Sequence, residues 1–212
     1  MFFQGLSDHL NSLLTDRLQS VAEVCRQFYL AGGTALALHL GHRKSEDLDF
    51  FSNHEFDNEQ VIQAILKLGG RIASESTGTI HSFIAGSKVS FFYYPYPLLR
   101  NMLEIGNISV ASMEDIACMK VIAIAQRAEK KDFFDMYEIL RVYSPSAVRD
   151  MVIQKYGEKR INCYHIVKSF FYFEEAEKSF DPISLNNTSW QQVKDYFIQN
   201  EGELTSGLCR EL

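Results

Sequence analysis

Two aspartates one residue apart, Asp47-Leu-Asp49, are the sharpest chemical feature of this 212-residue sequence. On a β-strand, side chains two positions apart share a face, so the pair could present two carboxylates to one cation. Hard oxygen donors at that spacing suit Mg²⁺, which takes one or two carboxylates and completes its octahedron with waters and substrate phosphates. An isolated pair of this kind is more often a solvated turn, by about two to one. Its context shifts the balance, because Gly32-Gly33-Thr34 stands thirteen residues upstream, where a short apolar run passes into a helix-forming segment. Glycines let backbone N–H groups approach a phosphate, a helix N-terminus supplies partial positive charge, and the Thr34 hydroxyl can donate to a phosphate oxygen. The plain structural alternative is a strand-to-helix turn with Thr34 as N-cap. Taken together, the two pieces offer donors for phosphates and carboxylates for the cation that neutralises them. Arg43 and Lys44 fall between them and could bind further phosphate oxygens, although surface basic residues are usually only solvated.

A second constellation lies downstream: Lys120, Arg127, Lys131, Asp132 and Asp135. Their spacing approximates whole helical turns and predicts one face of a continuous or barely broken helix. Apolar neighbours, Ile116-Ala-Cys-Met119 and Phe133-Phe134, predict a partly buried Lys120 that needs an acidic partner. A structural ion pair with Asp132 or Asp135 and a substrate-binding role are equally compatible with the spacing.

The elements that must position these residues can be read from periodicity. An apolar stripe from Leu6 to Phe28 predicts an N-terminal helix. Phe28–Ala31 reads as a strand, Thr34–Leu40 as a helix closed by Gly41, and Asp47–Phe51 as a half-buried strand. Asp57–Leu68 predicts a helix, and strands are expected over Arg71–Ser76, Thr79–Ala85, Lys88–Tyr94 and Asn107–Ala111. From Ser112 the pattern becomes helical, with start signals at Ser112-Met-Glu-Asp115 and Ser144-Pro145 and helices over Cys163–Lys178 and Trp190–Asn200. The expected fold class is α+β: a small mixed β-sheet core with flanking helices over residues 1–111, and a C-terminal helical subdomain over residues 112–212 packed on it. The aromatic runs Phe91–Tyr96 and Phe170–Phe173 could stack a nucleobase, but core packing is favoured by about four to one. His39 and His42 complete no metal-binding spacing.

Composition sets the outer limits. Hydrophobic residues make up 46% and charged residues 23%, enough to bury a core and too apolar for global disorder. Lys+Arg 21 against Asp+Glu 27 gives a net charge of −6, so nucleic acid could be held only by a local basic patch. The longest strongly apolar run, Phe91–Leu99, contains two prolines and is far short of the ~20 residues of a membrane helix. No leader pattern opens the chain, so a cytoplasmic location without membrane attachment is expected. Cys25, Cys118, Cys163 and Cys209 form no metal motif and are expected as reduced, mostly buried thiols.

The ordered motifs Tyr29-Leu-Ala-Gly-Gly-Thr-Ala-Leu, Arg43-x-Ser45-x-Asp47-Leu-Asp-Phe-Phe51, Lys120-x-x-Ala123-x-x-x-Arg127 and Lys131-Asp132-x-x-Asp135 resemble those of the AbiEii/AbiGii-type toxin nucleotidyltransferases. These belong to the DNA polymerase β-like superfamily, and the likeness runs from about residue 29 to 140. It implies a minimal nucleotidyltransferase core, Mg²⁺ as cofactor, and transfer of a nucleoside monophosphate from an NTP to an acceptor with loss of pyrophosphate. It assigns the triphosphate to Gly33 and Thr34, the metal to Asp47 and Asp49, and catalytic roles to Lys120 and Asp132, with Asp135 beside them. Several such toxins act on tRNA and pair with an antitoxin, so the resemblance implies both as partners. These pieces are expected to converge on one pocket. One departure stands out: many polymerase β-like enzymes carry a third carboxylate on a neighbouring strand, where this chain has Ser90. That leaves an alternative, a catalytically impaired nucleotide-binding or interaction protein that retains the fold.

Overall fold

Periodicity in the sequence becomes a sheet and a set of helices in the computed structural model, which describes residues 26–209. The stripe from Leu6 therefore lies outside the described residues except at its end, where Phe28 is buried just ahead of the first strand. The described strands are β1 (Tyr29–Ala31), β2 (Leu48–Ser52), β3 (Arg71–Ser76), β4 (Thr79–Ile84), β5 (Ser87–Tyr93), β6 (Leu103–Ile105) and β7 (Ile108–Val110). They form one sheet in the order β3-β4-β5-β2-β1-β7-β6. Strands joined by tight turns pair antiparallel, whereas β2 runs parallel to β5 and β1 parallel to β7. Parallel neighbours need long crossovers; the stretch between β2 and β5 supplies one with helix α2 (Asn58–Lys67) and the β3–β4 hairpin. The architecture is α+β, as the sequence predicts.

The chain divides into two compact units, Met1–Pro97 with Asn101–Ser112 and Leu98–Arg100 with Met113–Leu212. In the first unit, strand alternation decides what is buried. Leu48 and Phe50 of β2, Val89 and Phe91 of β5 and Ile80 and Ile84 of β4 are in the core, together with Val61 and Ile65 of α2. The opposite face carries Asp49 and Phe51, both half-buried. The aromatic run accordingly splits: Phe91 is core, while Phe92 stacks on Phe51 at 5.0 Å across the other face. Helix α1 (Gly32–Leu40) begins two residues earlier than expected, and β6 was not anticipated. Gly106, at φ +61, closes the β6–β7 hairpin in the left-handed region that glycine tolerates best.

The second unit holds α3 (Met113–Gln126), α4 (Lys130–Leu140), α5 (Pro145–Tyr156), α6 (Cys163–Phe170), α7 (Glu174–Glu177), α8 (Trp190–Gln199) and α9 (Glu201–Leu208). Side chains start several of them: Ser144 caps α5 with Pro145 at the first position, Asn162 caps α6, and Ser189 with Gln192 forms a capping box on α8. Phe133, Phe170 and Phe197 are fully buried, and Phe173 and Trp190 pack edge-on against this cluster. The helix expected over Cys163–Lys178 is instead two, with Phe171–Phe173 between them.

Two sequence expectations change here. Lys120 and Asp132 do not share a continuous helix: the chain turns at Arg127–Glu129, with Ala128 at φ +49, and α4 folds back on α3. On a straight helix twelve residues span about 18 Å, so their ion pair at 3.0 Å exists only because of that turn. The cysteines are not all reduced either, since Cys163 at the start of α6 and Cys209 after α9 form a disulfide across a separation of 46 residues. Cys118 is a free, buried thiol, which burial pushes up to about 12; Cys25 lies outside the described residues.

Candidate active site

The glycine pair between β1 and α1 is shaped by the side chains that lie on it. Gly32 adopts φ +70, and a Cβ there would stand 3.2 Å from the Asp49 carboxylate. A Cβ on Gly33 would fall 2.2 Å from the Arg43 guanidinium. Glycine is therefore needed twice, once for backbone conformation and once for room, and the turn gathers an acid and a cation at the N-terminus of α1. Ala31 provides no side-chain cap for that helix, and its first turn contains no acidic residue. A helix N-terminus suits an anion, and the Asp49 carboxylate lies beside this one.

Thr34, expected to donate to a phosphate or to cap the helix, is not the cap, which is Ala31. It is buried inside the first turn, where its hydroxyl donates to the Asp47 carbonyl and lies 2.7 Å from Ser45 Oγ. A hydroxyl has one proton and a carbonyl can only accept, so the Thr34 proton is committed to holding the backbone at Asp47. Arg43 is also buried, and its Nη1 donates to the Lys44 carbonyl at 3.0 Å; the Lys44 side chain is exposed. Asp49 lies between fully buried Leu48 and Phe50 of β2, so its carboxylate belongs to the face opposite the core, and Asp47, also half-buried, immediately precedes the strand. Ser90 is the register partner of Asp49 on β5 and is fully buried.

The donor set can be tested against Mg²⁺. Among the described residues no group of three or more His, Cys, Asp or Glu could hold a metal ion. Asp47 and Asp49 supply two hard oxygens and leave the remaining positions to waters and substrate, as Mg²⁺ prefers. The residues fit that ion and do not form a closed, all-protein cage.

In the helical unit, the Lys120 ammonium lies 3.0 Å from Asp132 and 2.5 Å from Asp135. Arg127 grips Asp132 with two donors, at 2.8 and 2.9 Å. Both aspartates are fully buried, Lys120 is nearly so, and the Arg127 side chain is 49% exposed. Burial pushes the Asp132 carboxyl up, but the Lys120 charge and the Arg127 hydrogen bond outweigh it and hold the group at about 2. Asp135, expected among the substrate contacts, is ion-paired with Lys120. Lys131 pairs with Glu129 at the surface.

A buried ion pair that the sequence reading missed anchors the same unit. Asp115, read only as part of a helix-start signal, binds Lys155 at 2.6 Å and accepts from the Leu99 and Arg100 amides. Apolar flanks around both residues could have signalled burial, but no spacing links positions 115 and 155.

Comparison with known proteins places the chain. It is 40% identical over 182 residues to the uncharacterized protein aq_aa25 of Aquifex aeolicus (strain VF5), covering 82% of this chain and 86% of that one. Its fold is similar to JHP933 from Helicobacter pylori, with a TM-score of 0.56 and 18% identity, covering 96% of this chain and 94% of the other. The antibiotic-resistance factor ANT(2'')-Ia matches with a TM-score of 0.51 and 16% identity, covering 69% of this chain and 91% of that protein. The sequence profile of the nucleotidyl transferase AbiEii toxins of type IV toxin–antitoxin systems matches residues 16–106 and 89–203. The chain, with its Gly-Gly-Thr turn, paired aspartates and lysine–aspartate helices, therefore belongs to the AbiEii nucleotidyltransferase toxin family.

Proposed function

We propose that this nucleotidyltransferase moves a nucleoside monophosphate from an NTP to an acceptor, with tRNA as the acceptor class and Asp47 and Asp49 as the residues that hold Mg²⁺. The observation that carries this is the glycine turn, which brings the Asp49 carboxylate against an uncapped helix N-terminus. When bound, Mg²⁺ would neutralise charge on the triphosphate and orient it. The Gly33 amide and Arg43 would take phosphate oxygens, with Lys44 at the edge, while Thr34 fixes the backbone that carries Asp47. Lys120 would stabilise triphosphate charge, Asp132 would orient Lys120 together with Arg127, and Asp135 would balance its charge. Catalysis of this kind is mainly positioning and charge neutralisation. The family also implies a cognate antitoxin protein as partner, and we place the reaction in the cytoplasm.

The test is incubation with labelled NTPs, Mg²⁺ and bulk tRNA. Asp47→Ala and Asp49→Ala should each lower labelling at least about 100-fold, the range for loss of one well-placed electrostatic group. Labelling that survives both changes removes this mechanism. One observation favours a second reading, that the protein binds nucleotide without turnover: Ser90, not a carboxylate, is the register partner of Asp49. Calorimetric NTP binding without labelled product would select it.

A further inference from the structure

Register places three polar side chains in one row across the sheet. Asp49 of β2 aligns with Ser90 of β5, and Ser90 aligns with His81 of β4. Aligned residues on neighbouring strands project from the same face, and here the contact is direct: His81 Nδ1 lies 3.1 Å from Ser90 Oγ. Ser90 is fully buried and His81 half-buried. The imidazole also meets the Phe92 ring edge-on at 5.5 Å. Two neighbours thus fix the ring, and with Nδ1 engaged by Ser90, Nε2 is the ring nitrogen left for proton transfer. Strands lie about 4.8 Å apart, so the Asp49 and His81 backbones are about 10 Å apart, with Ser90 of β5 between them and both side chains on the face opposite the core.

We infer that His81 is the general base of this transferase, with Ser90 as the positioning residue that holds its ring. The inference rests on the transferase proposal. In the step assigned to His81, the acceptor hydroxyl oxygen forms a bond to the α-phosphorus. The bond from that phosphorus to the bridging oxygen breaks, its electron pair leaves with pyrophosphate, and the hydroxyl proton passes to His81 Nε2. Imidazole is the side chain most often used for such transfers, and a positioned base contributes typically 10²–10⁴-fold. A longer side chain one strand farther out thereby does what a carboxylate at position 90 would do from closer in.

The experiment measures nucleotide binding by calorimetry and single-turnover labelling for wild type, His81→Ala, His81→Gln, Ser90→Ala and the His81→Ala/Ser90→Ala double variant. Wild-type labelling that depends on Asp47 and Asp49 must be present; its absence counts against the transferase proposal itself and takes the inference with it. Given that labelling, both His81 variants should lose at least about 100-fold in rate with nucleotide affinity within twofold of wild type. Gln keeps a hydrogen-bonding side chain and cannot take up a proton, so it guards against a purely structural loss. Ser90→Ala should cost about tenfold alone and nothing further in the His81→Ala background, because a positioning residue acts only through its partner. Rates within twofold of wild type for His81→Gln, losses shared between rate and nucleotide affinity, or additive effects of the two positions would each overturn the assignment.

Discussion

Lys120 sits between two buried carboxylates, and the balance among them has a measurable consequence. Two cations, Lys120 and Arg127, face two anions, Asp132 and Asp135, so removing either lysine or aspartate leaves a buried charge uncompensated. The Asp132 carboxyl, held at about 2 against an ordinary 3.8, binds fewer protons folded than unfolded. Its contribution is complete above about pH 4 and disappears as pH falls through about 2, a difference of about 2 kcal/mol. In denaturant titrations at pH 6 and about pH 2, the wild type should lose about 2 kcal/mol more than Asp132→Asn. Equal losses in both proteins would contradict the depressed value. At this scale the sequence predicted that Lys120 would be buried and acid-paired, because apolar neighbours surround it. It did not reveal that Thr34 points inward, since a hydroxyl that could serve a phosphate can equally serve a carbonyl thirteen residues away.

Among the elements, two glycines that look alike in sequence differ in what surrounds them. At Gly33 an added Cβ would fall 2.2 Å from the guanidinium of Arg43, a buried side chain that must shift, while alanine is the better helix former by about 1 kcal/mol. Gly33→Ala should therefore lower the melting temperature only slightly, the helix gain offsetting part of the cost of displacing Arg43, while weakening NTP binding as Arg43 loses its place. At Gly207 in α9 the same Cβ would meet Pro145 Cβ at 2.5 Å and the Ser146 amide at 3.2 Å. Backbone there cannot yield cheaply, so overpacking of about 1–3 kcal/mol should outweigh the helix gain. Gly207→Ala should lower the melting temperature by several degrees; the reverse ranking of the two variants would mean that α9 is free to move away from α5. Element types and most boundaries were legible because alternation and 3.6-residue periodicity survive in these segments. The break at Arg127–Glu129 was not, because Ala128 carries no turn signal and its positive φ is imposed by the packing of α4 on α3.

For the whole molecule, the Cys163–Cys209 disulfide closes α6 to α9 into one loop. Closing a loop of 46 residues restricts the unfolded chain, an effect typically worth about 2–4 kcal/mol. Reduction, or Cys163→Ser with Cys209→Ser, should lower thermal stability by that amount; an unchanged melting curve with dithiothreitol would show that the bond contributes nothing. Sequence alone determined the α+β class, the switch from strands to helices near residue 112, and the chemical inventory of two aspartates, a glycine turn and a lysine with acidic partners. Those follow from local periodicity, turn chemistry and motif order, which neighbouring residues set among themselves. Tertiary structure decided which groups meet: Asp49 against Gly32, Thr34 on the Asp47 carbonyl, Lys120 on Asp132 across a fold-back, His81 on Ser90, and two distant cysteines in one bond. Contacts of that kind depend on strand register and chain reversal, and neither leaves a periodic mark in a single sequence.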